Sequence, residues 1–189
     1  KKYKTIGYDI NIDRISQLLK GDDITKEISK SLLLNNKKLF FSNQINDIKD
    51  CNIYIVIVPT PVDQHNIPDL SLLKKACESL GKIISQSNIV IFESTVYPGV
   101  TEEICGKILS KISKLKIITE KNKNKISQGF YLGYSPERIN PGDISKKFEK
   151  INKIVSCSTN DQAIFIASIY QSILKSKVYV VESIKVAES

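Results

Sequence analysis

Ile91-Phe-Glu-Ser-Thr-Val-Tyr-Pro-Gly99 decides the fold class of this chain, together with a second stretch, Gly133-Tyr-Ser-Pro-Glu-Arg-Ile-Asn-Pro-Gly142. In each, a short apolar run breaks into a turn that carries hydroxyl groups, a carboxylate and proline. Open α/β sheets present reactive side chains in this way, at the carboxyl ends of their strands. The two turns therefore predict an α/β protein with its functional groups along one edge of the sheet.

Further apolar runs alternate with helical periodicity along the chain. Several are continuous rather than alternating with polar residues, which is typical of parallel strands buried on both faces. The predicted strands are Tyr3–Tyr8, Lys38–Phe41, Asn52–Val58, Asn88–Phe92, Gly129–Gly133, Lys153–Cys157 and Lys177–Val181. This alternation predicts a doubly wound, mainly parallel, Rossmann-like sheet with helices on both faces.

The helices are predicted from apolar positions three and four residues apart. One covers Asp13–Leu19, a second follows Asp69 as its N-cap, and a third follows Pro98-Gly99 with Thr101 as its cap. A fourth covers Asp161–Ile173, and Ile173 is among its expected buried positions. A last helix is expected to start near Ser183.

Composition narrows the class of protein. A chain of 189 residues is long enough for one good-sized domain. Its net charge of +8 comes from lysines scattered among Asn and Ile, and only two arginines occur, so we expect a lysine-rich solvated surface and no nucleic-acid binding. No apolar run approaches the roughly 20 residues of a membrane-spanning helix, and the first residues lack the apolar core of a signal peptide. A cytoplasmic location without membrane association is expected.

The four cysteines are Cys51, Cys77, Cys105 and Cys157. They are widely spaced, and His65 is the single histidine, so no zinc site is expected. We expect all four to be buried, reduced thiols.

Two residues at predicted strand ends are weak signals when each is taken alone. Asp9 ends the first strand, as does the carboxylate that binds ribose hydroxyls in dinucleotide-binding units. Such a residue follows a Gly-x-Gly-x-x-Gly turn by about 20 residues. Here that motif is absent and only eight residues precede Asp9. A strand-ending Asp taken by itself is more often an N-cap or a plain loop residue. Thr60, between two prolines, is likewise explained by a structural turn.

The combination Glu93-Ser-Thr95 and Ser135-Pro-Glu137 is more informative. Each segment supplies a carboxylate and a hydroxyl, the groups that position a water molecule or a substrate alcohol. Arg138 can bind phosphate or pair with Glu137. A glutamate at such a place can also be a satisfied cap.

The motifs, taken in order, resemble the UDP-glucose/GDP-mannose dehydrogenase family. The likeness is strongest to its UDP-N-acetylhexosamine 6-dehydrogenase branch, including the Vi-antigen type, and runs from about Tyr3 to the last residue. The segments that carry it are Val58-Pro-Thr-Pro61, Pro68-Asp-Leu70, Glu93 to Gly99, Thr101-Glu-Glu103, Gly133 to Gly142 and Ser183-Ile-Lys-Val-Ala-Glu188.

The resemblance implies an enzyme that oxidises the C6 alcohol of a nucleotide sugar to a carboxylate with two NAD per turnover, for surface polysaccharide synthesis. It implies that Asp9 holds the adenosine ribose, that Arg14 lies near the adenine, and that Thr60 and Thr95 line the NAD site. Thr95 and Glu137 would be catalytic, acting on the water and the alcohol.

The resemblance also implies the substrate contacts, which are Glu137, Arg138, Ile139, Asn140 and Pro141. In the UDP-glucose branch a second glutamate stands where this chain has Pro141, which favours an N-acetylated sugar. UDP-glucose remains the alternative substrate, and the epimer of the N-acetylhexosamine is open.

The same resemblance predicts the extent of the domain. Residues 1–182 would form an NAD-binding domain whose first strand and glycine turn are missing, and residues 183–189 would start the central connecting helix. None of the four cysteines matches the family's nucleophile, so we expect a fragment with little or no turnover. A non-catalytic nucleotide-binding or assembly module is the alternative, and the full-length family member would be a homodimer.

Overall fold

The computed structural model describes residues 3–26, 28–136 and 151–189. The chain forms two compact units, Lys1–Asp50 and Cys51–Ser189. Each unit has parallel strands and helices, so the predicted mixed α/β fold with a mainly parallel sheet is confirmed. No helix among the described residues is both long and apolar enough to cross a membrane.

The first unit contains two parallel strands. β1 pairs with β2 in a register that runs from Thr5 opposite Leu39 to Tyr8 opposite Ser42. The Asn11 side chain accepts hydrogen bonds from the amides of Asp13 and Arg14, which fixes the start of the first helix. The elements of this unit are β1 (Thr5–Tyr8), α1 (Ile12–Leu19), α2 (Lys30–Leu34), β2 (Leu39–Ser42) and a 3-10 turn, Ile45–Ile48.

In residues 51–136 and 151–189, which the structure describes, the second unit has six strands in the order β3-β4-β6-β7-β8, with β5 beside the start of β6. All neighbouring strands are parallel except β6 and β7. The strands are β3 (Ile53–Val56), β4 (Ile89–Phe92), β5 (Lys116–Ile117), β6 (Gly129–Tyr134), β7 (Lys153–Cys157) and β8 (Val178–Val180). Only β5 was not predicted, because two residues are too short for a periodic signal.

Helices cover both faces of this sheet. On one face, Ile89 and Ile91 of β4 pack in a cluster with Ile166 of α5. On the other face, Gly106 approaches Leu132 so closely that a methyl group at Gly106 would stand 3.0 Å from it. The helical elements are α3 (Ser71–Gly81), a π-helix (Val100–Gly106), α4 (Lys107–Ser113), α5 (Asn160–Gln171) and α6 (Ile184–Glu188).

Three local predictions need correction. The third helix begins at Val100 after Gly99, whose φ is +100°, so Thr101 is buried inside the helix and does not cap it. Asp69 stands one residue before the N-cap position of α3, although its carboxylate accepts a hydrogen bond from the Ser71 amide at 2.8 Å. Ile173 is 47% exposed, because the buried stripe of α5 continues by a four-residue step to Leu174.

A buried carboxylate provides the cap that Thr101 was expected to form. Glu188 accepts hydrogen bonds from the Gly99 amide at 2.6 Å and the Thr101 amide at 2.9 Å. A negative charge at this place is stabilised by the helix dipole. The same charge, added to burial, raises the pKa of Glu102 above its ordinary value, with burial as the larger cause. Glu188 therefore fastens α6 to the start of the π-helix.

Replacing Glu188 tests this cap. We expect Glu188→Ala to lower the free energy of unfolding by about 2–3 kcal/mol, because two buried amides lose a charged acceptor. Urea unfolding measures the change. Glu182→Ala removes an equal charge from an exposed residue and should change stability little. Equal effects of the two substitutions would contradict the assignment.

The raised pKa of Glu102 predicts a pH dependence of stability. The folded state binds the proton more tightly than the unfolded state, so the ionised form costs stability as the pH rises above the ordinary pKa of glutamate. Glu102→Gln should therefore raise the melting temperature at about pH 7 and have less effect at about pH 4. Glu103→Gln is the matched control. The hydrogen bond with Lys185 lowers the pKa of Glu103, so the ionised form of Glu103 stabilises the fold. Glu103→Gln should therefore lower the melting temperature at about pH 7. A lower melting temperature for Glu102→Gln at neutral pH would refute this reading.

Candidate functional site

Thr60 and Thr95 lie in the loops that follow two adjacent parallel strands, β3 and β4. The Thr60 hydroxyl donates to the Thr95 carbonyl at 2.6 Å. In the reverse direction, the Ser94 hydroxyl donates to the Val58 carbonyl at 2.6 Å. Two hydroxyl–carbonyl bonds thus tie the loops together, and the side chain of Thr95 remains exposed to solvent. The structure brings these two predicted residues together.

The end of β6 joins the same edge of the sheet. The Ser135 amide donates to the Phe92 carbonyl at 3.0 Å, and the Tyr134 hydroxyl donates to the Ser94 carbonyl at 3.3 Å. Through Tyr134 and Ser135, the end of β6 contacts the segment that leads to Thr95. The predicted residues Glu137, Arg138, Ile139, Asn140 and Pro141 lie outside the described residues.

The sequence left two roles open for Glu93, either to position a water molecule or a substrate alcohol or to be a satisfied cap, and the structure shows a satisfied carboxylate inside the protein. Its side chain is buried, accepts a hydrogen bond from the Tyr170 hydroxyl and forms an ion pair with Lys153 at 3.0 Å. Sequence reasoning missed both partners, because each stands among apolar residues that were assigned to the core. A lysine that begins an apolar strand is the signal that would have suggested a buried ion pair.

Asp9 and Arg14 belong to the first unit. Asp9 follows β1 directly, is exposed, and uses one carboxylate oxygen to accept the Asn11 amide at 2.8 Å. Arg14 lies in the first turn of α1 and forms an ion pair with Asp23, with 2.7 Å between Nη2 and Oδ1. An exposed carboxylate after a parallel strand can accept hydrogen bonds from ribose hydroxyls. The residues present therefore fit a dinucleotide.

Three of the four thiols are buried and therefore unsuited to covalent chemistry. None of the four forms a disulfide, and Cys77, Cys105 and Cys157 are buried as predicted. A hydrogen bond with Cys105 and burial raise the pKa of Cys77, and burial raises the pKa of Cys157. Cys51 departs from the prediction because it is half-buried just before β3. Among the residues that the structure describes, no group of three or more His, Cys, Asp or Glu is arranged to hold a metal ion.

The bond between the two loops gives a direct test. We expect Thr60→Val to lower the free energy of unfolding by about 1 kcal/mol, because the Thr95 carbonyl loses its donor. Thr60→Ser keeps the hydroxyl and should retain most of that stability. Thermal or urea unfolding distinguishes the two variants, and an equal loss in both would mean that the hydroxyl is not the stabilising group.

Comparison with known proteins identifies relatives of this chain. A UDP-N-acetyl-D-glucosamine 6-dehydrogenase of Pseudomonas aeruginosa is 43% identical over 189 residues, covering 100% of this chain and 43% of that protein. Protein CapL of Staphylococcus aureus is 44% identical over 188 residues, covering 100% of this chain and 42% of that protein. The chain therefore spans about two fifths of the length of the curated relatives that it matches.

Solved structures show the same fold. A UDP-D-ManNAc dehydrogenase from Pyrococcus horikoshii superposes with a TM-score of 0.83 at 28% identity, over 99% of this chain and 43% of that one. A GDP-mannose dehydrogenase from Pseudomonas aeruginosa, solved as a ternary complex, also gives a TM-score of 0.83, over 99% of this chain and 42% of that one. At 19% identity, the second likeness concerns the fold alone.

The family model for the NAD binding domain of the UDP-glucose/GDP-mannose dehydrogenase family matches residues 1–174. That match covers nearly the whole chain and agrees with the resemblance found in its motifs. It also makes NAD the cofactor of this domain. The chain belongs to the UDP-glucose/GDP-mannose dehydrogenase family and represents its NAD-binding domain.

Proposed function

We propose that this chain provides the NAD-binding and water-handling part of a UDP-N-acetylhexosamine 6-dehydrogenase. The observation that carries the proposal is the bonded pair of loops with Thr60 and Thr95 at the ends of adjacent parallel strands. Relatives with 43% identity named UDP-N-acetyl-D-glucosamine 6-dehydrogenase support the choice of sugar. The reaction would oxidise the C6 alcohol to a carboxylate and reduce two NAD. Its product would enter surface polysaccharide synthesis.

In this proposal, Asp9 and Arg14 bind the adenosine half of the cofactor. The Asp9 carboxylate accepts hydrogen bonds from ribose hydroxyls, and the ion pair with Asp23 holds the guanidinium of Arg14 beside the adenine. When bound, NAD supplies the hydride acceptor for both oxidations. Thr60 and Thr95 line the site on the second unit.

Two further residues carry the chemistry in this proposal. The exposed hydroxyl of Thr95 positions the water molecule, and Glu137 exchanges protons with that water and with the substrate alcohol. The segment from Glu137 to Pro141 contacts the sugar nucleotide, and proline at 141 is the basis for preferring an N-acetylated sugar. UDP-glucose is the competing substrate.

The covalent step requires a thiolate close to the aldehyde. Because none of the four cysteines matches the family's nucleophile, and Cys77, Cys105 and Cys157 are also buried, we assign the nucleophilic role to none of them. The same observation supports a second candidate, a module that binds the nucleotide without turnover. We further propose that residues 1–182 form the NAD-binding domain, that 183–189 begin the connecting helix, and that the whole protein is a homodimer in the cytoplasm.

Cofactor binding by this chain is the first test. We expect Asp9→Asn to weaken NAD binding about 10-fold or more, because a charged acceptor for two hydroxyls is lost. The substitution keeps the oxygen that bonds the Asn11 amide, and Asp13→Asn removes an equal exposed charge from the same unit as a control. The unmodified protein should also prefer NAD to NADP, since a carboxylate repels the 2′-phosphate. Equal calorimetric affinities for the Asp9 and Asp13 variants would contradict this role.

Turnover distinguishes the two candidate functions. NADH formation by the whole protein should be followed by absorbance with UDP-N-acetylglucosamine and with UDP-glucose, because this chain alone is expected to show little or no turnover. Preference for the N-acetylated sugar supports the dehydrogenase proposal, and preference for UDP-glucose refutes its choice of substrate. NAD binding without turnover favours the non-catalytic module.

A further inference from the structure

Three polar side chains meet inside the second unit, between β4, β7 and α5. Glu93, Lys153 and Tyr170 are only 5%, 4% and 4% exposed. Lys153 Nζ lies 3.0 Å from Glu93 Oε1, and the Tyr170 hydroxyl donates to the same oxygen. The ammonium group also stands 4.9 Å from the centre of the Tyr170 ring. The three groups therefore satisfy one another away from water.

A charged cluster is not needed to fill a protein interior. Desolvation of a carboxylate and an ammonium group offsets most of their attraction, and well-packed apolar side chains of similar volume often stabilise a fold as well or better. Charge-assisted hydrogen bonds add something that apolar contacts lack, which is a fixed distance and direction between the bonded groups. The role of this cluster therefore depends on the backbone segments that it connects.

The cluster connects the two strand ends at which the proposed catalytic residues lie. Glu93 follows β4 directly and stands two residues before Thr95. The ammonium group of Lys153 also donates to the Pro136 carbonyl at 3.5 Å. This is possible because β7 runs antiparallel to β6, so the first residue of β7 lies at the carboxyl end of β6. One side chain thus bonds the turn after β4 and the turn after β6.

We propose that Lys153 is a positioning residue that holds the turn carrying Thr95 at a fixed distance from the end of β6. The proposal rests on the proposed function, in which Thr95 acts together with Glu137, the residue after Pro136 in the sequence. A displacement of about 1 Å between reacting groups can cost about 100-fold in rate. Lys153 would therefore affect the rate of the catalytic step without contacting the substrate.

The decisive variant removes both charges at nearly constant volume, as Glu93→Gln combined with Lys153→Met. Lys153→Met alone would leave a buried carboxylate without its counter-charge and endanger folding. Two backbone amides report on the turns, because the Glu93 amide bonds the Val56 carbonyl and the Ser135 amide bonds the Phe92 carbonyl. We expect hydrogen exchange at both amides, measured by NMR, to be about 10-fold faster in the double variant while global stability is retained.

Two single variants guard against a merely structural effect. Leu174→Ala opens a cavity in the apolar cluster that contains Ile166 of α5. It should lower global stability without selectively exposing these two amides. Tyr170→Phe keeps the ring under the ammonium group and removes only the hydroxyl. It should therefore speed exchange at the Glu93 amide by less than the double variant does. If the double variant does not fold, Glu93→Leu combined with Lys153→Leu replaces it, because apolar side chains of similar volume often stabilise a fold as well as a buried ion pair does. Unchanged exchange at both amides in that variant overturns the proposal. In a folded double variant, unchanged exchange at both amides overturns it.

Kinetics of the whole protein give an independent readout. The double variant should show a kcat about 100-fold lower with a KM for NAD within about 2-fold, as expected for an interaction that matters only for the reacting geometry. An unchanged kcat overturns the positioning role. If the unmodified protein reduces no NAD with UDP-sugars, the proposed function fails, whereas the exchange measurements still decide whether Lys153 holds the two turns.

Discussion

Strand β4 is the element on which the second unit depends. All four of its residues are buried, and its two edges are occupied by parallel neighbours, β3 and β6. A strand that is covered on every side cannot present a polar side chain along its length. The two residues that follow it, Glu93 and Ser94, are still buried and each finds an internal partner. Thr95 is the first position after β4 at which the chain returns to solvent.

This constraint also explains how the loops at this edge of the sheet are held together. The hydroxyls of Thr60 and Ser94 each bond a carbonyl of the neighbouring loop, and Ser135 bonds the carbonyl of Ile154 on β7. Short side chains lose little conformational freedom in such bonds. Side-chain hydroxyls therefore replace the ladder of backbone bonds at the point where the strands stop, and they hold the site on a rigid scaffold.

Much of this fold can be predicted from the sequence, because buried parallel strands leave continuous apolar runs. Every predicted strand lies within two residues of an observed one. Two of the errors, at Thr101 and Glu93, have another cause, since they concern contacts between residues far apart in the chain. The cap on the π-helix comes from Glu188, which is 87 residues from Thr101, and the hydroxyl that bonds Glu93 is 77 residues away. Local sequence patterns contain no information about such distant partners. The place of Asp9 directly after β1 was predicted, because it depends only on where that strand ends.

The π-helix has a consequence for comparing this chain with its relatives. A π-helical segment contains about one residue more than an α-helix with the same hydrogen-bonded ends. Val100–Gly106 thereby sets the rotational phase of α4, and it decides that Leu109 packs in the core. A relative that forms an ordinary α-helix here would need one residue fewer to keep the same buried face. A single-residue gap in an alignment at this segment would therefore record a change of helix type, with the packing against the sheet preserved.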